Sequence, residues 1–145
     1  MEVFTIGFTQ TTAADFFGRL RRYGIRRLVD VRLNNVSQLA AFAKRDDLSF
    51  FLKELCGAEY LHEIRLAPTQ EMLDAYKKQK GSWDVYASVF LDLMRERHIE
   101  RELNPDLFDV PTALLCSEPT ADYCHRRLVV EYLQEKWSDV RSVHL

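Results

Sequence analysis

The sequence predicts a single α/β domain over residues 1–145, in which a mostly parallel sheet of about five strands is flanked by helices in three layers. Short β-branched runs alternate with longer segments whose apolar residues have helical spacing. The chain has 145 residues and is 47% hydrophobic, so it can bury one core. No stretch rich in Gly, Ser or Pro divides it, which indicates one domain.

The first elements form a strand-helix-strand unit. Residues 3–6 predict a buried strand, and Thr11 or Thr12 is expected to cap a helix that Gly24 ends. Residues 28–31 predict the second strand. A unit of this length joins parallel strands by a right-handed crossover.

The middle of the chain is less regular. Residues 32–45 have no clear period and predict a long loop or a short broken helix. Asp46 or Asp47 is expected to cap the next helix, over residues 48–55, and residues 58–62 to form a short third strand.

The second half returns to clear patterns. A helical stretch follows Thr69, and Ser82 is expected to cap a long amphipathic helix. Residues 104–105 predict a turn. Residues 112–116 are the clearest central strand, and after one more helix residues 140–145 predict the last strand.

Charge and composition exclude several classes of protein. The 20 basic and 22 acidic side chains give a net charge of −2, which argues against nucleic-acid binding by bulk charge but allows a local basic pocket. No apolar run reaches the length of a transmembrane helix, and the N-terminus does not resemble a signal peptide. Three cysteines do not suggest a disulfide framework, so a reducing cytoplasm is the expected compartment.

The most informative segment is the strand run 114–118 followed by residues 124–127. A thiol, an imidazole and two guanidiniums stand there near a predicted helix start, where backbone N–H groups and the helix dipole favour anions. Ligands of open parallel sheets bind beyond the carboxyl ends of the strands. The segment therefore predicts a site at that edge.

The first two strand ends also carry candidate residues. Gly7 allows a close backbone approach and Thr9 offers a hydroxyl, although a turn glycine and a helix cap explain them equally well. Asp30 lies in an apolar run and is expected to be at least partly buried, so it needs a partner or a raised pKa. It is a candidate proton-transfer group, or a structural ion pair with Arg32, which shares its strand face.

The third strand end offers the reactive groups. Glu118 is a candidate general acid or base, or a residue that interacts with the helix N-terminus. Cys116 is expected to be buried. Cys124, in the first helical turn, is expected to have its thiolate stabilised by the dipole and by Arg126 or Arg127, which makes it either a nucleophile or redox thiol, or a packed thiol.

The neighbouring positions limit how these groups can combine. His125 is an alternative acid or base, but it should point about 100° away from Cys124 on a helix, so the two can face the same small pocket only if the first turn frays. Arg126 can bind phosphate or carboxylate through two hydrogen bonds. Cys116, Glu118, Cys124 and His125 offer possible metal ligands, but their spacing lacks the C-x-x-C pair of structural zinc sites, so no metal site is predicted. Neither a G-x-G-x-x-G fingerprint nor a P-loop is present, and the sequence does not identify a cofactor.

Three segments together resemble one known family. Residues 5–9, 28–32 and 114–118 with 124–126 are similar, in the same order, to the family called domain of unknown function 488. The resemblance implies a small bacterial or archaeal α/β domain without an established activity. It carries over the positions Gly7, Thr9, Asp30, Arg32, Cys116, Glu118, Cys124, His125 and Arg126. Many members are more basic and proline-rich where this chain has the neutral residues 33–37, so if that loop helps to select the ligand, a different ligand is expected here.

Three functional hypotheses follow. The protein is an enzyme acting on a small anionic substrate, phosphorylated or nucleotide-like, with Arg32 and Arg126 holding the anion and Asp30, Glu118 or His125 moving protons. Alternatively it is a non-catalytic module that binds a nucleotide or a nucleic-acid end in the same pocket. In a third hypothesis, the helix start at residues 124–127 only ties loops together through buried ion pairs. The sequence makes no prediction of oligomeric state.

Overall fold

Five strands form one sheet in a computed structural model that describes all 145 residues. In chain order they are β1 (Glu2–Gly7), β2 (Arg27–Asp30), β3 (Glu59–His62), β4 (Thr112–Cys116) and β5 (Arg141–His144). Their order across the sheet is β3-β2-β4-β1-β5, and every neighbouring pair is parallel. The predicted α/β class is confirmed, and the sheet is fully parallel rather than mostly so.

Six α-helices flank the sheet: α1 (Ala13–Arg22), α2 (Arg45–Phe51), α3 (Gln70–Leu73), α4 (Trp83–Glu96), α5 (Ile99–Glu102) and α6 (His125–Lys136). Two of them, α2 and α3, continue directly into π-helical turns, over Leu52–Cys56 and Asp74–Lys78. Short 3₁₀ helices occupy the connections at Gln38–Ala43, Ile64–Leu66 and Pro105–Phe108. None of the helices has the length and apolar character needed to cross a membrane.

Local capping explains where several of the helices begin. The side chains of Thr12 and Ser82 accept hydrogen bonds from backbone N–H groups in the first turns of α1 and α4, as the sequence predicts. The expected cap of α2 is wrong: the helix begins at Arg45, so Asp46 and Asp47 lie inside its first turn. There the two carboxylates face the positive end of the helix dipole without capping it.

The sheet separates two hydrophobic cores because successive side chains of a strand point to opposite faces. Leu28 and Leu115 pack against α1 and α2, whereas Val29 and Leu114 pack against α4 and α6. The chain therefore leaves β1 and β2 toward one face and leaves β4, which lies between them, toward the other. This divergence opens a crevice at the carboxyl end of β4.

Candidate functional site

The predicted site residues form two groups on opposite faces of the sheet. In the register of β2 and β4, Asp30 pairs with Leu115, one residue before Cys116. Asp30 therefore points toward α1 and α2, and Cys116 toward α4 and α6. The strand ends meet at one edge as expected, but this carboxylate and this thiol do not share a chamber.

The first group is a closed ion pair. Arg32 donates from Nε and Nη2 to the two Asp30 carboxylate oxygens, each at 2.8 Å, and also to the Ala43 carbonyl. Tyr60 donates its hydroxyl to Asp30, and burial together with that carboxylate raises the pKa of Tyr60, so its proton is retained. Asp30 is fully buried and Arg32 is 4% exposed. All hydrogen bonds of the Asp30 carboxylate are therefore made to groups inside the protein. This is the structural ion pair with Arg32 that the sequence predicts as one alternative.

The second group consists of Cys116, Cys124 and His125, whose sulfur and nitrogen atoms all lie within 4.8 Å of one another. All three residues are buried. His125 Nδ1 lies 3.4 Å from Cys116 Sγ, and Nε2 lies 2.7 Å from the carbonyl oxygen of Val31. A carbonyl only accepts, so Nε2 carries the proton and the Nδ1 lone pair faces the Cys116 sulfur.

Cys124 and His125 share a pocket, which the sequence allowed only if the first helical turn departed from regular geometry. Cys124 is the residue before α6, with an extended backbone at φ −134° and ψ 137°, and the helix begins at His125. The 100° step between helical neighbours does not apply across this boundary. Both side chains consequently turn toward Cys116.

A buried arginine lies beside this group. Arg126 has no solvent exposure; its Nη1 donates to the Glu118 carbonyl oxygen at 2.6 Å and to Cys124 Sγ at 3.6 Å. No carboxylate lies within ion-pair distance of it, and its Nε has no hydrogen-bond partner. Because a buried charge requires compensation, the negative charge at this place has to come from sulfur or from a ligand.

The two thiols differ in acidity. Burial raises the pKa of Cys116, but the neighbouring Cys124 thiol, the Arg126 charge and backbone N–H groups outweigh burial, so the pKa lies below its ordinary value. Burial and then the competing Cys116 thiol raise the pKa of Cys124 well above the ordinary value. The directions of these shifts run against the expected thiolate at Cys124 and make Cys116 the more acidic of the two thiols. Burial lowers the pKa of His125, which keeps the imidazole neutral.

Gly7 and Thr9 shape the loop after β4. A Cβ built on Gly7 would overlap the carbonyl oxygen of Glu118 and lie 2.7 Å from Arg126 Nη1. The backbone N–H of Thr9 donates to the Ser117 carbonyl at 3.0 Å. The end of β1 is thus pressed against the residues that follow Cys116, and only glycine permits this approach.

A cavity of about 180 Å³ opens above the Cys–His group; we call it the strand-end cavity. Five of the predicted site residues line it: Arg32, Cys116, Glu118, Cys124 and His125. The other four, Gly7, Thr9, Asp30 and Arg126, lie outside its lining. Those four contact the backbone or side chains of residues that line the cavity and hold them in place.

Sequence reasoning missed the aromatic wall of the cavity. Its members are Tyr76, Trp83, Tyr86 and Tyr123, joined at the rim by Lys77, whose Nζ lies 2.7 Å from Glu118 Oε1. The helical spacing of Trp83 and Tyr86 indicates a core face, and they do pack on the core. The available signal is the break at residues 81–82, which brings the π-helical turn and the start of α4 together over the end of β4.

Comparisons with known proteins give one match. No curated protein and no solved structure matches the chain. The family model described as "Domain of unknown function DUF488" matches residues 12–133, from the cap of α1 to late in α6. Both cysteines of the site, His125 and the Asp30–Arg32 pair lie inside this range, whereas Gly7 and Thr9 lie before it. The chain belongs to the DUF488 family.

Proposed function

We propose that the protein is an enzyme that binds a small anionic substrate in the strand-end cavity and transforms it at the group formed by Cys116, Cys124 and His125. One observation carries the proposal: these three groups are buried together at the end of a parallel strand, beside a buried arginine that has no carboxylate partner. Clustered groups with shifted pKa values in a cleft are typical of active sites.

The cavity wall supports a flat substrate. The rings of Trp83 and Tyr86 are stacked with centroids 5.4 Å apart, and Tyr123 meets Trp83 edge to face at 5.7 Å. Drug-sized pockets have about 300–1,000 Å³, so a cavity of about 180 Å³ admits one ring or a short chain. A nucleotide would place only its base or its phosphate inside.

Charge supports an anionic group on that substrate. Arg32 and Lys77 line the cavity, each paired with one carboxylate, so those two pairs are neutral. The buried charge of Arg126 behind the thiols remains, and a positive potential in a cleft of low dielectric constant attracts anions.

The acid-base roles follow from accessibility. Glu118 stands at the rim, with its side chain 38% exposed, and can exchange protons with both substrate and solvent. Cys116 lines the cavity, and its lowered pKa favours the thiolate, which is the form that attacks electrophiles or binds metal ions. Asp30 is enclosed on the other face, so its role in this proposal is to orient Arg32.

The alternative is a non-catalytic module that binds a nucleotide or a nucleic-acid end. The observation that favours it is the Asp30–Arg32 pair, in which the carboxylate only orients the arginine that lines the cavity. In this alternative the aromatic wall and the Arg126 charge bind the ligand, and Glu118 and Cys116 are not needed for that binding.

The test has two stages. Thermal-shift screening against nucleotides and small phosphorylated compounds finds a ligand, and turnover of that ligand is then measured for the wild type, Cys116→Ser and Glu118→Gln. Cys56→Ser and Glu135→Gln serve as matched controls outside the cavity. Loss of turnover in the first pair alone, with circular dichroism unchanged, supports the enzyme. Binding without turnover in the wild type supports the module, and the absence of any anionic ligand contradicts both.

A further inference from the structure

We infer that Cys116, Cys124 and His125 bind a divalent transition-metal ion of the zinc class, with a fourth position open to the strand-end cavity. Metal binding stands on the geometry alone, and only its role in turnover rests on the proposed function. The three donors converge from a strand end and a helix start, so the binding site comes from the fold and not from a local sequence motif.

The donor set suits zinc. Two thiolates and one imidazole are soft and borderline ligands, which select zinc-like ions over magnesium or calcium. Structural zinc sites have four protein ligands, whereas sites with three protein ligands keep one position for water or substrate. Here the three donors all line the cavity, which leaves that position facing its interior.

The distances fit a tetrahedral ion. At the tetrahedral angle, zinc–sulfur bonds of about 2.3 Å and zinc–nitrogen bonds of about 2.0–2.1 Å place the two donor atoms about 3.5–3.6 Å apart, close to the separation seen here. His125 Nδ1 and Cys116 Sγ are 3.4 Å apart. Cys124 Sγ completes a triangle whose sides are all within 4.8 Å, so a small adjustment of its side chain closes the site around one ion.

The surroundings of the imidazole are those of a metal ligand. A metal-bound histidine generally donates its other N–H to a carboxylate or a backbone carbonyl, which fixes the ring and the tautomer. His125 Nε2 makes this bond to the Val31 carbonyl at 2.7 Å. The bond leaves Nδ1 as the free donor atom, 3.4 Å from the Cys116 sulfur.

Arg126 indicates which fourth ligand the ion would take. On binding, the two thiols release their protons to solvent, and two thiolates cancel the charge of a divalent ion. The buried Arg126 charge, 3.6 Å from Cys124 Sγ, is then balanced by an anionic fourth ligand. That ligand is hydroxide, formed when bound water gives a proton to solvent, or the anionic group of the substrate.

The test measures metal binding apart from activity. Protein freed of metal with a chelator is titrated with Zn²⁺ against a chromophoric chelator, and with Co²⁺ while thiolate-to-cobalt charge-transfer and d–d absorption are recorded. We expect one ion per chain with four-coordinate cobalt spectra containing thiolate bands. Cys116→Ser, Cys124→Ser and His125→Gln should each lose this stoichiometric binding, whereas Cys56→Ser should keep it.

Alkylation of the wild-type protein guards against variants that fail to fold. Zn²⁺ should protect Cys116 and Cys124 from a small alkylating reagent and leave Cys56 equally reactive, as peptide mass spectrometry can show. Equal labelling with and without Zn²⁺, or cobalt spectra without thiolate bands, would overturn the metal site. If the metal-free protein still turns over a ligand, and Cys116→Ser abolishes that turnover, the role of the metal in turnover is contradicted while the proposed enzyme stands.

Discussion

Asp30 and Arg32 form a two-point ion pair that is almost fully removed from solvent at the end of β2. Asp30→Asn leaves the Arg32 guanidinium buried without a counter-charge. Breaking a buried pair on one side costs about 3–5 kcal/mol, so we expect the free energy of unfolding to fall by that amount. Urea denaturation followed by circular dichroism measures it.

An exposed pair provides the comparison. Asp92 lies 2.8 Å from Arg95 on the surface of α4, with a side chain 64% exposed. Asp92→Asn should cost less than about 1 kcal/mol. Equal losses of unfolding free energy in Asp30→Asn and Asp92→Asn would contradict a stabilising role for the buried Asp30–Arg32 pair.

Gly7→Ala tests the contact between β1 and the loop after β4. The added methyl group would overlap the Glu118 carbonyl oxygen, which itself accepts from Arg126. Because backbone has to move to relieve the overlap, we expect the free energy of unfolding to fall by at least about 2 kcal/mol. Thermal and urea denaturation measure the loss.

Gly18→Ala is the matched control for that change. Gly18 lies inside α1, and a Cβ built there meets no atom within 4 Å. Alanine is favoured over glycine in a helix interior by about 1 kcal/mol, so this variant should gain stability. A Gly7→Ala protein as stable as the wild type would show that the turn is free to shift.

The parts of the fold that depend on local chemistry could be predicted from the sequence. The β-branched strand runs and the caps at Thr12 and Ser82 act over a few residues, and the corresponding elements are present. The strand order could not be predicted, because it depends on which hydrophobic faces meet in three dimensions. The aromatic wall could not be predicted for the same reason, because the position of Tyr76 near the end of β4 depends on the strand order.

The site illustrates how much depends on a single helix boundary. With Cys124 placed inside the helix, Cys124 and His125 diverge and the metal-type cluster is lost. With the helix starting at His125, the extended backbone of Cys124 turns its sulfur toward Cys116. Helix ends shift by one or two residues in sequence-based prediction, which is the scale that decides this chemistry.

His144 predicts a pH dependence of stability. Burial lowers the pKa of His144, and the charges of Arg126 and Arg127 lower it further, while Nδ1 hydrogen-bonds with the Thr5 hydroxyl at 2.6 Å. The unfolded chain therefore binds the proton more tightly than the folded one. The contribution of the neutral imidazole is complete above a pH of about 6.5 and is lost as the pH falls.

The measurement compares the wild type with His144→Gln. On acidification from pH 7.5 to pH 5, the unfolding free energy of the wild type should fall relative to that of His144→Gln. These two pH values bracket the ordinary histidine pKa of about 6.5. The shift should be shallow because His144 is exposed to solvent. A difference that stays constant, or that moves in favour of the wild type on acidification, contradicts the assignment.

Tyr123→Ala tests the aromatic wall without disturbing the fold. The Tyr123 side chain is 63% exposed and touches Trp83 edge to face, so its removal should change the unfolding free energy by less than about 0.5 kcal/mol. Stacking on an aromatic ring contributes about 1–3 kcal/mol per base, so affinity for a flat ligand found by thermal-shift screening should fall about fivefold to 150-fold.

In a Trp137→Phe background Trp83 is the single tryptophan, and its fluorescence reports the binding directly. Tyr23 is an exposed tyrosine that packs on Phe4 away from the cavity, so Tyr23→Ala should leave the affinity unchanged. Equal losses of affinity in Tyr123→Ala and Tyr23→Ala would place the ligand elsewhere on the surface.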